Sequence, residues 1–314
     1  MQDARGAGAP SLQRVIAAFA ALYIIWGSTY LAILFAIETI PPFLMAGARF
    51  LVAGSVLYVF LRARGEPRPT REAWIAATII GGLLLLAGNG AVTWAEQRVA
   101  SGVAALLVAT VPLWMVLIDA LRPSGSRPTP AVAFGLLAGF GGLVLLVGPG
   151  GGGGVDPFGA TARVPGSLSW AAGSIYSRTA PRPRAPLMGT GMQMLAGGAL
   201  LVIFGTIRGE WAVLDVAAIS TTSLLALGYL IVFGSLIGYT AYIWLLEVST
   251  TARVSTYAYV NPVVAVLLGW AVAGEPLTLR TIVASAIILG AVALITLAGA
   301  RTTTAAHARR RAGR

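Results

Sequence analysis

Arg49 is the one charge that falls well inside an apolar stretch, eight residues in from its nearer end. Along a helix that is a depth of roughly 12 Å. An ionisable group at such a depth needs a purpose. It can bind the carboxylate of a small molecule, or it can tie helix ends together through backbone carbonyls or Glu38. A second set of residues combines aromatic rings and hydroxyls at helical spacing. Trp26 pairs with Tyr30, Asn89 with Thr93, and Trp170 with Ser174 and Ser177. Ser235, Tyr239 and Tyr242 share a face, as do Ser255, Tyr259 and Pro262. Polar groups facing lipid are costly, so these faces point inward. For the serines, helix–helix hydrogen bonding is the plainer role. For Trp26, Tyr30, Tyr239 and Tyr259 the expectation is a cavity wall, and Asn89, Thr93, Trp170, Tyr242 and Asn261 join them as candidates. Pro112 and Pro262 each remove a backbone donor and free a carbonyl. They read as mirror-related kinks with a gating role, or as packing kinks. Mostly apolar walls with a few polar anchors suit an amphipathic organic molecule. Rings of charge or carbonyls for an ion channel are absent from the pattern.

The elements that must position these residues are apolar and long. Only 11% of the 314 residues are charged and 57% are hydrophobic, against about 25% charged in soluble domains. That identifies an all-α polytopic membrane protein. About 20 apolar residues span the hydrocarbon core, and ten segments qualify: 15–36, 42–61, 73–95, 101–121, 129–148, 165–181, 186–206, 223–246, 251–273 and 280–299. The first is longer than the apolar part of a signal peptide and reads as a membrane helix. Cysteine is absent, and the one histidine, His307, lies in the tail. A His-based metal site or a Ser-His-Asp triad in the membrane is thereby excluded. No cofactor is expected, and the chain does not read as an enzyme.

All 22 basic residues are arginines, and they sit mainly at the ends of apolar runs. Such sorting argues against nucleic acid as the partner. With both termini in the cytoplasm, seventeen arginines fall on that side, four fall outside, and Arg49 is within a helix. This bias orients the chain. The expected home is a bacterial inner (plasma) membrane, crossed many times. The arginine-rich tail 300–314 can touch anionic lipid head groups or serve only as a topology signal. Gly148 to Gly154 has neither the Lys-Ser/Thr nor the preceding strand of a phosphate-binding loop, and 149–164 reads as a linker.

The second half repeats the first. Gly88-Asn-Gly-Ala-Val-Thr-Trp94 stands 150 positions before Gly238-Tyr-Thr-Ala-Tyr-Ile-Trp244, and the same offset carries Pro112 onto Pro262. Gly27-Ser28-Thr-Tyr30 matches Gly173-Ser174-Ile-Tyr176. Pro42, Gly47 and Gly54 match Pro186, Gly191 and Gly198. Five helices per half is odd, so the second half enters the membrane from the opposite side and the repeat is inverted. The halves differ where Tyr259 corresponds to Ala109 and Arg49 to Gln193. Small residues at Gly135 and Gly139 allow close helix approach, read as packing within a monomer rather than the face of a homodimer.

Trp26-Gly-Ser-Thr-Tyr30, Pro42 with Ala48-Arg49-Phe50, and Asn261-Pro-Val-Val-Ala-Val-Leu-Leu-Gly269 followed by Gly274-Glu-Pro-Leu-Thr278 resemble the EamA family of the drug/metabolite transporter superfamily. The resemblance covers residues 15–299. It implies ten helices in two inverted five-helix repeats, 15–148 and 165–299, flanked by a cytoplasmic segment 1–14 and the tail. It also implies movement of small metabolites, amino acids or drugs, often outward. A passive channel and an intramembrane enzyme are the competing classes. In this family the first repeat usually carries a Gly-Glu turn after its fourth helix. Leu121-Arg-Pro-Ser-Gly125 stands there instead.

Overall fold

The computed structural model describes residues 11–108, 110–121, 129–147, 157–249, 254 and 257–312. Helices carry almost all of them. We label α1 Leu12–Ala36, α2 Pro42–Ala63, α3 Arg71–Ala95, α4 (Ser101–Val108 and Val111–Leu121), α5 Pro130–Val147, α6 Pro157–Ser177, α7 Pro186–Ile207, α8 Thr221–Val248, α9 Tyr257–Ala273 and α10 Leu279–Ala312. Five of these, α1, α2, α3, α7 and α8, are long and apolar enough by themselves to cross a membrane. Local chemistry sets several starts. The hydroxyls of Thr70 and Ser220 accept from the backbone N–H three residues on, at 3.3 and 3.1 Å, capping α3 and α8. Pro42 and Pro186 open α2 and α7, where a missing N–H costs nothing.

The packing has the symmetry expected of an inverted repeat. α1 lies against α8 and α9, and α6 lies against α3 and α4. Three further pairs, α2 with α7, α4 with α9 and α5 with α10, join corresponding helices of the two halves. The matched glycines explain the α2–α7 pair. A methyl group at Gly54 would stand 2.8 Å from Leu195 N, and one at Gly198 would stand 2.9 Å from Leu51 N. The backbones therefore touch, and close van der Waals contact replaces the hydrophobic drive that lipid does not supply. Gly135, Gly139 and Gly142 face Ile295, Ala291 and Ile288 of α10. That stripe is used for packing inside the chain.

Some boundaries differ from expectation. α6 begins at Pro157, so residues 157–164 of the expected linker are helical, and 148–156 lie outside the described residues. α10 continues into the tail as far as Ala312. The two prolines have different local settings. Pro262 lies inside continuous α9. Pro112 is the second residue of a new helical segment after α4 has broken. At that break the Leu107 carbonyl accepts from the Thr110 hydroxyl at 2.6 Å and from the Ser167 hydroxyl of α6 at 3.0 Å. Proline removes the hydrogen bond to the carbonyl four residues earlier, and the interruption of α4 falls within that turn.

Candidate functional site

The middle of the bundle is shaped by two mirror-related irregularities. α3 winds as a π-helix over Gly82–Asn89, and α8 does so over Leu230–Tyr239. Wider turns leave carbonyls available to neighbours and recur at functional sites. One carbonyl of each stretch is bonded from the opposite half. Trp26 Nε1 donates to Gly234 O at 3.2 Å, and the Ser169 hydroxyl donates to Leu83 O at 2.9 Å. The repeated glycines at this level are seats for indoles. A methyl group at Gly88 would lie 2.6 Å from Trp170 Cε3, and one at Gly238 would lie 2.7 Å from Trp26 Cδ1.

Between the halves these elements enclose a cavity of about 40 Å³, room for one or two waters. Trp26, Tyr30, Arg49 and Asn89 from the first half meet Trp170, Tyr239 and Tyr257 from the second around it. Trp26 stands edge-on to Trp170 at 5.7 Å and to Tyr257 at 5.5 Å between ring centroids, a favoured aromatic geometry. Arg49 is 3% exposed. Its Nε donates to the Ser235 hydroxyl at 2.7 Å, and its guanidinium lies 4.7 Å from the Phe50 ring centroid. Glu96 is the carboxylate within electrostatic reach. The Arg49 side chain is thus held by α8, and not by Glu38 at the helix ends.

Six of the sequence candidates meet at this cavity: Trp26, Tyr30, Arg49, Asn89, Trp170 and Tyr239. Three others are buried behind it. Tyr242 accepts from Trp170 Nε1 at 3.1 Å and shares a 2.7 Å hydrogen bond with the Ser174 hydroxyl. Thr93 donates to Asn89 O at 3.0 Å. With its amide nitrogen facing carbonyls, Asn261 donates to Tyr23 O at 3.2 Å and Tyr257 O at 3.3 Å, bracing α9 against α1. Pro112 and Pro262 are buried away from the cavity. Tyr259 belongs to α9, but its side chain lies outside the described residues. The face reading of α9 missed Tyr257, which lines the cavity instead. Thr29 and Phe50 were missed too. They adjoin Tyr30 and Arg49 in sequence, and no spacing rule selects them.

A second cavity, of about 130 Å³, opens between α3, the α6–α7 connection, α7 and the end of α8, with Ala73, Pro183, Gln193 and Glu247 among its walls. Gln193 Oε1 accepts from the Tyr239 hydroxyl at 2.9 Å. Tyr239 lines the central cavity and Gln193 the second one, so this hydrogen bond links a wall of each. At the rim, Arg182 and Glu247 form a 2.8 Å ion pair.

At the opposite end, two carboxylates sit on helix N-termini. Glu210 accepts from Phe43 N at 3.2 Å and Leu44 N at 2.9 Å, at the start of α2. Glu275 accepts from Ser101 N at 2.7 Å and Gly102 N at 3.3 Å, at the start of α4. Unsatisfied N–H groups and the helix dipole both favour a negative charge there. Each bond joins the second half to the first.

A sequence profile of the EamA-like transporter family matches residues 13–148 and again 158–297. The uncharacterized inner membrane transporter YedA of Escherichia coli (strain K12) is 43% identical over 278 residues, which are 88% of this chain and 89% of YedA. The uncharacterized transporter YvbV of Bacillus subtilis (strain 168) is 24% identical over 274 residues, or 87% and 88% of the two chains. A solved crystal structure at 24% identity superimposes with a TM-score of 0.64 over 91% of this chain and 98% of its own, which shows a shared fold.

Proposed function

This chain is a membrane transporter that belongs to the EamA-like transporter family, and we propose that it is a secondary carrier working by alternating access. The observation that carries this reading is the small central cavity, walled by both inverted halves, with the Tyr239–Gln193 hydrogen bond standing between its wall and that of the second cavity. A site at mid-depth between inverted repeats can be exposed to either side when the halves rock. The arginine bias supports an orientation with Glu210 and Glu275 at the outer end and the Arg182–Glu247 pair at the inner end. On this reading the glutamate caps act as the outer latch and the exposed Arg182–Glu247 pair as the weaker inner one. The inner membrane is the proposed location, by likeness to YedA, with both termini cytoplasmic. Export of small metabolites, amino acids or drugs is the proposed direction.

The test is reconstitution in liposomes with imposed gradients. Saturable, counterflow-competent flux of an amino acid, metabolite or cationic drug supports the carrier. No flux of any of these under any gradient sinks it. Unitary conductance above carrier turnover would place the chain among passive channels, the second reading.

A further inference from the structure

Arg49 is buried to 3% exposure, and only one of its nitrogens has been placed in a hydrogen bond, Nε on Ser235. Its Nη1 is buried with no hydrogen-bond partner. On the same cavity, Asn89 Oδ1 is also buried with no partner. A buried donor or acceptor left unmade is costly, and native proteins seldom keep one without a use. Here a cationic donor and a neutral acceptor stay open on one cavity, while the polar neighbours are committed. Ser235 is taken by Arg49, Tyr239 by Gln193, Trp26 Nε1 by Gly234 O, and Trp170 Nε1 by Tyr242.

We propose that Arg49 and Asn89 form a recognition site for an organic carboxylate that carries an O–H or N–H donor beside the carboxyl group. The carboxylate accepts from Arg49 Nη1 in a charge-assisted bond. The neighbouring donor meets Asn89 Oδ1. The rest of the substrate lies against Trp26, Trp170 and Tyr257 when the walls part. Two features fit this occupant better than an amine. Arg49 brings positive charge, and Glu96, the acid whose charge reaches Arg49, caps the C-terminal end of α3 and is not part of the cavity wall. Repeat symmetry adds a second argument. The residues corresponding to Arg49 and Asn89 in the other half are Gln193 and Tyr239, and those two are bonded to each other at 2.9 Å. In the first half the same positions are left unjoined, facing the cavity. The site is the open copy of a contact that its twin has closed.

The proposal rests on the carrier reading for its purpose, but it can be tested by binding alone. Purified full-length protein in detergent would be titrated with 3-phenyllactate, 3-phenylpropanoate and phenethylamine, following tryptophan fluorescence. These probes share a body and differ in carboxylate and donor. The expected order is 3-phenyllactate tightest, 3-phenylpropanoate weaker, and phenethylamine weakest by about tenfold or more. Arg49→Gln should weaken both acids about tenfold or more and leave the amine unchanged. Arg49→Lys should recover part of the loss, since it keeps the charge without the planar fork. Asn89→Leu should abolish the difference between the two acids. Thermal unfolding of each variant identifies those that do not fold. If Asn89→Leu leaves the acids in their original order, or phenethylamine binds as tightly as 3-phenyllactate, the proposal is overturned. Carboxylate binding without flux in liposomes would overturn the carrier reading and support the site. Flux of amines with no carboxylate binding would do the reverse.

Discussion

The two ends of the bundle use the same sequence device differently. A glycine with positive φ is followed by glutamate at three places, Gly65-Glu66, Gly209-Glu210 and Gly274-Glu275, with φ of 86, 75 and 66°. Left-handed backbone favours glycine, so each turn places a glycine directly before its glutamate. At the end carrying Glu210 and Glu275, both carboxylates cap helices of the other half. At the other end, Glu66 corresponds to Glu210 by the repeat, yet its side chain makes no hydrogen bond or ion pair among the described residues. The fourth position, after α4, has no Gly-Glu at all. In place of buried caps, this end has the Arg182–Glu247 pair, whose side chains are 56% and 22% exposed. One end is fastened by charge on helix termini, and the other is left easy to part. On the proposed carrier reading, an inverted repeat offers two closures, and unequal residues at the two ends would set their relative strength.

The largest effect is expected from removing the fastened end. Glu210→Ala with Glu275→Ala strips four charge-assisted hydrogen bonds, about 2–4 kcal/mol for each glutamate. The chain has no cysteine, so Val92→Cys on the cavity wall is a single reporter. Its labelling by a membrane-impermeant thiol reagent from outside should rise about tenfold, and unchanged labelling would break the comparison. Next are the indole seats, which lie between the ends and serve both. Gly238→Ala or Gly88→Ala forces a methyl group onto a ring, at about 1–3 kcal/mol, and transport should fall about tenfold. Gly290→Ala, where a methyl group meets open space, should leave transport unchanged. Equal losses at all three would remove the seats from the mechanism.

Tyr239→Phe deletes the hydrogen bond to Gln193, at about 1 kcal/mol. In inverted vesicles, labelling of Val92→Cys should rise a few-fold from the cytoplasmic side, with outside labelling unchanged. A rise from outside would reverse the assignment of the ends. The smallest effect belongs to Arg182→Ala, below about 0.5 kcal/mol by thermal unfolding, because an exposed pair contributes little. A loss comparable to that at Glu210 would mean the two ends are fastened alike.

The helices were legible because apolar length is a local property, and eight of the ten starts lie within about three residues of their expected positions, while residues just before Tyr257 of α9 lie outside the described ones. The exception is α6, where Pro157 to Val164 read as linker but coil as helix. Site legibility was uneven, and the reason is geometric. Trp26, Tyr30, Asn89 and Tyr239 were found because aromatic and amide groups in apolar runs must face protein. Tyr242 and Asn261 satisfied the same rule by facing other helices, and helical spacing cannot distinguish one inward direction from another. Tyr257 was missed because ideal spacing on α9 favoured Tyr259.

Taken alone, the sequence determined that this chain lives in a membrane, how many apolar segments it has, that its halves are related, and which family it resembles. Each follows from composition, period or matched residues, which survive without coordinates. Tertiary structure decided the π-helical turns, the pairing of Gly88 with Trp170 and of Gly238 with Trp26, the glutamate caps, and the open pair at Arg49 and Asn89. All of these join residues far apart in the chain. A hydrogen bond or a close contact depends on ångström distances between helices, and those distances exist only once all the helices have packed together.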